Sequence, residues 1–140
     1  MMNRALLIAV VLRPRRGPNL VANGTFDADA NWTKGGGWTI SGGAANASAT
    51  GGSTLAANPS PAALAAKQYE VTFSIVAETT AGNGVRFALG GTAGTIRNGV
   101  GTYSQIVSIT SGAAFILYAG GGGAWAGSID NVSVREVLRP

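Results

Sequence analysis

The sequence predicts an all-β protein built as an antiparallel β-sandwich, and three observations lead there. The run YEVTFSIVAE alternates: Tyr69, Val71, Phe73, Ile75 and Ala77 share one face, while Glu70, Thr72, Ser74 and Glu78 sit mostly on the other. Period 2 with β-branched and aromatic residues marks a half-buried strand. Gly-rich breaks (KGGG, SGG, TGG, AGNG, GGTAG, GGGG) cut the chain at short intervals, as tight turns between strands do. No stretch of ten or more residues carries a helical period.

Taken in order, the first eighteen residues, MMNRALLIAVVLRPRRGP, stand apart. An apolar run from Ala5 to Leu12 meets Arg13-Pro14-Arg15-Arg16 directly, with no Ala-x-Ala-like site. A secretion signal ends its apolar region in small residues suited to cleavage, so this segment is expected to stay as an extended arm, residues 1–18. Pro14 and Pro18 are expected to stop it continuing into the sandwich, which occupies 19–140. Within that domain NLVANGTF, WTISGG, ANASAT and STLAAN are short strand candidates. PSPAALAAKQ is either one helical turn, with Ser60 as cap and Pro61 first, or a loop. After the long YEVTFSIVAE strand, GVRFALG points Val85, Phe87 and Leu89 inward and Arg86 outward. YSQIVSIT, AAFILYAG and SIDNVSVREVL complete the set, and about nine short strands at close spacing are the mark of a sandwich.

Composition bounds the chemistry. At 140 residues the chain is one domain able to bury a single core, and 46% hydrophobic residues argue for packing despite 22 glycines and only 11% charged residues. With no Cys there is no disulfide or thiolate metal site, and with no His the commonest general base and metal ligand is missing. Eight Arg against two Lys, with abundant Ala and Gly, point to a GC-rich bacterial or phage genome. From residue 17 onward Lys34, Lys67, Arg86, Arg97, Arg135 and Arg139 balance Asp27, Asp29, Glu70, Glu78, Asp130 and Glu136, so the whole net charge of +4 sits on the arm. A nucleic-acid partner would need a basic stripe with aromatics on the domain, and no apolar run approaches the ~18 residues of a membrane span. Neither partner is expected.

Three segments carry a resemblance. NLVANGTFDADANWTKGGGWTISGG resembles the opening of jelly-roll carbohydrate-binding modules, with an Asn-Gly-x-Phe element and a later Gly-Trp. AAKQYEVTFSIVAE resembles their central strand, and GSIDNVSVREV, with Ile-Asp-Asn-Val, their closing strand. The resemblance spans residues 19–137 and implies a jelly roll. It also implies two uses, because small stand-alone modules of this kind are frequent in phage structural proteins. The first is a non-enzymatic virion protein, a capsid decoration or tail/fibre subunit on the particle surface, oligomeric in the assembly and anchored by its arm to a capsid or tail protein. The alternative is a glycan-binding module acting through exposed aromatics. No cofactor is implied except a structural Ca²⁺.

The candidate residues follow. Leu6, Leu7, Ile8, Val10, Val11 and Leu12 would add a strand to a partner, with Arg13, Arg15 and Arg16 meeting acidic surface. Asp27 and Asp130 would be neighbours where first and last strands meet, and the resemblance implies calcium there, an ion that wants six to eight oxygens. Against it, Asp27 stands where the family often has Glu, and Asp130 could instead accept turn hydrogen bonds. Catalysis is not expected: glycoside hydrolysis needs two facing carboxyls, and none of the six acids lies in a recognisable motif. Trp32 and Trp38 read as core. Trp125, in AGGGGAWAGS, is a candidate for glycan or subunit contact or for capping the core, and Tyr118, opposite in parity to Phe115 and Leu117, faces outward beside it.

Overall fold

The computed structural model describes residues 15–50, 52–63, 65–112, 114–119 and 124–138, with residues 49 and 50 described by backbone alone. The strands are β1 (Arg15–Arg16), β2 (Trp32–Lys34), β3 (Trp38–Ser41), β4 (Ala44–Thr50), β5 (Ser53–Ala57), β6 (Gln68–Thr80), β7 (Val85–Leu89), β8 (Thr92–Ala93), β9 (Gly101–Ser108), β10 (Phe115–Ala119) and β11 (Trp125–Leu138). One sheet runs β3-β4-β11-β6-β9, with β1 paired to β11; the other runs β2-β5-β10-β7-β8. All pairings are antiparallel. The described residues contain no helix, and the all-β sandwich stands as expected.

Alternation builds the core. Val85, Phe87 and Leu89 of β7 face Ala119, Leu117 and Phe115 of β10 in register, and all six are buried. Phe87 and Phe115 stack with ring centroids 6.1 Å apart. From the opposing sheet β6 contributes Tyr69, Val71, Phe73 and Ile75, all buried. Each Val, Leu, Ile or Phe among them contributes about 1.5–3 kcal/mol on removal from water. Trp32 and Trp38 both join the core, as expected.

Three segments depart from the sequence reading, and a fourth settles between its two alternatives. NLVANGTF is a run of turns, not a strand, because Asn side chains bond the backbone locally and divert it from a ladder. Asn23 Oδ1 accepts the amides of Asp27 and Ala28, while its Nδ2 donates to the carbonyls of Ala28 and Ala30. The segment before β6 is a loop, without a helical turn in its described part. β11 begins at Trp125, earlier than the closing strand read from SIDNVSVREVL. The arm boundary also moves: Arg15 and Arg16 pair with Leu138 and Val137, and the amides of Gly17 and Leu20 donate to Glu136 and Val134. Pro18 does not keep residues 15–20 off the sheet, since the end of β11 supplies the partner groups they need; the expected stop to the apolar run lies outside the described residues. Leu6, Leu7, Ile8, Val10, Val11, Leu12 and Arg13 lie outside the described residues.

Candidate functional site

Outward parity on the five-stranded sheet assembles the site. Tyr118 of β10 pairs with Thr54 of β5 on one side and Arg86 of β7 on the other. The next row on the same face reads Thr33, Ala56, Ile116, Ala88, Ala93 across β2, β5, β10, β7 and β8. Three of these five are alanines, so the Tyr118 ring has mostly small neighbours in the adjoining row. The Arg86 guanidinium lies over that ring, 5.1 Å from its centroid, a cation–π contact that holds the fork beside the phenol. Once the guanidinium swings off the ring, the arrangement offers what a sugar needs: a flat ring for its C–H face and planar donors for its hydroxyls. Tyr118 faces outward as its parity predicts, but not beside Trp125, which lies on β11 of the other sheet. Arg86 reads from sequence as a solvated strand residue, and its role beside Tyr118 depends on the β7–β10 register.

Trp125 is not at the surface. Its ring is fully buried, 6.4 Å from Trp38 centroid to centroid, and Nε1 donates to Glu78 Oε2 at 2.8 Å. Of the expected roles, glycan or subunit contact is therefore corrected and the core role remains. Gly127 makes this possible, since a Cβ there would come 2.7 Å from Cζ2 of the indole. Arg16 is likewise not free for an acidic partner: its Nε donates to Glu70 Oε1 at 2.8 Å within the domain. Arg15 is exposed on β1.

The six acids are each engaged locally. Glu70, Asp29 and Glu136 pair with Arg16, Lys34 and Lys67. Glu78 accepts from Trp125 and from the Gly99 amide. Asp27 accepts from the Thr25 hydroxyl and Asp130 from the Asn131 amide. The opening loop does meet β11 nearby, where the Gly24 carbonyl accepts the Val132 amide at 2.9 Å. Asp27 thus bonds within the opening loop and Asp130 within β11, and no group of three or more acids gathers among the described residues.

No family model matches the chain, and no curated protein matches it. Solved structures do match, two of them from one organism. The CBM22-1 xylan-binding domain of Paenibacillus barcinonensis Xyn10C matches with a TM-score of 0.51 at 12% identity, covering 94% of this chain and all (100%) of that one. The chain has the jelly-roll fold of carbohydrate-binding modules. A CBM35 from the same organism matches with a TM-score of 0.39 at 18% identity, over 76% of this chain and 94% of its own. At such identities the likeness speaks for the jelly roll alone, and the function of this jelly roll has to be argued from its own faces.

Proposed function

We propose that the domain is a non-enzymatic carbohydrate-binding module that holds a glycan on the outer face of the five-stranded sheet. The observation that carries the reading is the Tyr118–Arg86 pair on the outer face of that sheet. Tyr118 stacks on a sugar ring, Arg86 donates to its hydroxyls, and Thr54 adds a hydroxyl on the far side. The structural neighbour's xylan makes soluble xylan the first probe, alongside a glycan array. Tyr118→Ala is expected to weaken binding at least about tenfold, roughly the loss of 1.4 kcal/mol, and Arg86→Ala to act in the same direction. Both side chains face out, so the melting temperature should stay within a few degrees. Isothermal titration of the three proteins decides. A wild type that binds no glycan, or a Tyr118→Ala variant of unchanged affinity, would sink the reading.

A second reading, attachment to a virion, draws on the other sheet. β1 fastens the arm to the end of β11, beside a groove of about 300 Å³ lined by Ala66, Lys67, Gln68, Glu136, Val137 and Leu138. Arg15 and Arg16 thus belong to the six-stranded sheet, whereas the proposed glycan face is on the five-stranded one. In this reading a phage capsid or tail protein takes the apolar segment 5–12 by strand addition. Because the described fold starts at Arg15, the informative truncation removes residues 1–14. Its circular dichroism and melting should match the full chain while particle incorporation is lost; undiminished incorporation would refute attachment through the arm.

A further inference from the structure

β9 is an edge strand of unusual openness. It runs for eight residues, GTYSQIVS, paired to β6 in unbroken register from Gln68↔Ser108 to Ile75↔Gly101. The Ile109 amide donates to the Lys67 carbonyl, which fixes the ladder: odd-numbered residues of β9 exchange backbone bonds with β6. Thr102, Ser104, Ile106 and Ser108 therefore aim N–H and C=O away from the sheet. The Ser108 carbonyl is taken by the Thr92 hydroxyl, which leaves Thr102, Ser104 and Ile106 as the open stretch among the described residues.

Natural sheets blunt such edges with charge, Pro, bulges or brevity. The edge strands β2, β3 and β8 are short, at three, four and two residues. β9 has none of these devices. Apolar surface gathers around it as well. Of the five large hydrophobics exposed among the described residues, Ile106 (47%) lies on β9, and Ile96 (50%) and Val100 (67%) lie in the segment leading into it. Val76 (46%) adjoins the Ile75–Gly101 pair at the same end. Only Leu138 is elsewhere.

We propose that this edge is a homodimer interface, in which β9 of two copies pairs antiparallel about a two-fold axis near Ser104. The strand is self-complementary. Centred on Ser104, the pairing sets Ser104 against Ser104 and Thr102 against Ile106, a favourable β-branched cross-strand pair. An uncharged strand meets its own copy without like-charge opposition, and a two-fold interface asks only that one patch fit itself. Thr102, Ser104 and Ile106 of the two chains then supply about six backbone hydrogen bonds, and Val100 comes beside Ser108 at each end. Neighbouring antiparallel strands keep their faces aligned, so the six-stranded sheets join into one and both five-stranded sheets lie on the same side. If the glycan reading holds, the two Tyr118 faces look the same way, the geometry for avidity on a polymer surface; the dimer itself does not depend on that reading.

The test is the mass of the full chain in solution. Light scattering and sedimentation velocity at tens of micromolar are expected to give twice the 14.0 kDa chain mass. Ile106→Lys, which charges the edge, and Ser104→Pro, which removes an outward N–H that β6 does not use, are each expected to give the single mass. Ser104→Ala should remain dimeric. Should Ser104→Pro fail to fold, Thr102→Lys replaces it. A wild type that is monomeric across the range overturns the proposal. So does a dimer that survives the edge variants, including one lost only when residues 1–14 are removed.

Discussion

Trp125→Ala is expected to cost about 3–5 kcal/mol, lowering the melting temperature by roughly 10 °C or more. The ring is fully buried between the sheets, and truncation leaves a void that neighbours fill only in part. The void opens beside Trp38, whose ring lies 6.4 Å away. The second loss is electrostatic. Glu78 Oε2 accepts the indole N–H at 2.8 Å, and the same carboxylate accepts the Gly99 amide through both oxygens. Removing the indole strips one donor from a part-buried charge that also ties the β8–β9 loop to β6. Trp125→Phe, which keeps most of the volume but not the N–H, should cost about 1.5–3 kcal/mol from the charged hydrogen bond. Trp38→Phe makes the contrast sharper. The Trp38 N–H is buried without a partner among the described residues, so that substitution sacrifices ring volume but no hydrogen bond, and it should cost less than Trp125→Phe. Thermal and urea melts of the three variants measure the order. A Trp125→Ala protein as stable as wild type would mean that the indole does not sit in the core. The expectation also bears on glycan assays: loss of binding in Trp125→Ala would report unfolding, and Tyr118→Ala is the informative variant.

The parts of the fold legible in the sequence are those whose signal sits within one strand. β6, β7 and β10 announce themselves because alternate residues must face one core, and the same parity exposes Tyr118. What depends on a distant segment is hidden. Trp125 follows four glycines, which reads as loop, yet its burial rests on Glu78 and on room at Gly127. A Trp followed two residues later by Gly is a local signal of that room, because both side chains would share one strand face. Arg86 and Tyr118 meet only because β7 and β10 pair in one register, and the turns that set it carry no mark of the pair. Arg15 and Arg16 read as part of a free arm because the end of β11 that receives them is more than a hundred residues away in the chain. NLVANGTF has the composition of a strand, and Asn19 and Asn23 override it with bonds to the backbone.

Gly24→Ala is expected to cost on the order of 3 kcal/mol, the scale of overpacking against backbone. A Cβ at Gly24 would overlap the carbonyl oxygen of Val132, which lies in β11 between Asp130 and Ser133, where the pairing with β6 shifts register. β6 holds β11 at both ends of that irregularity, through Asp130 and Ser133, so the loop is the part expected to move. Moving it breaks the Gly24 carbonyl bond to the Val132 amide. It also strains the neighbouring grip of Asn19, whose Oδ1 accepts the amides of Val134 and Val21. Behind the loop, Phe26 is buried against Trp32 with centroids 5.2 Å apart, and the Trp32 indole donates to the Asn23 carbonyl at 3.0 Å. Displacement at Gly24 therefore reaches the core through two aromatic rings. Gly36→Ala is the matched control, because nothing lies within 4 Å of a Cβ built there; its melting temperature should stay within about 2 °C of wild type. Equal melting temperatures for the two variants would show that the opening loop does not press on β11. The expected gap would give the Asn-Gly-x-Phe element a physical meaning: Asn23 shapes the turn, Gly24 lets it touch β11, and Phe26 plugs the end of the core.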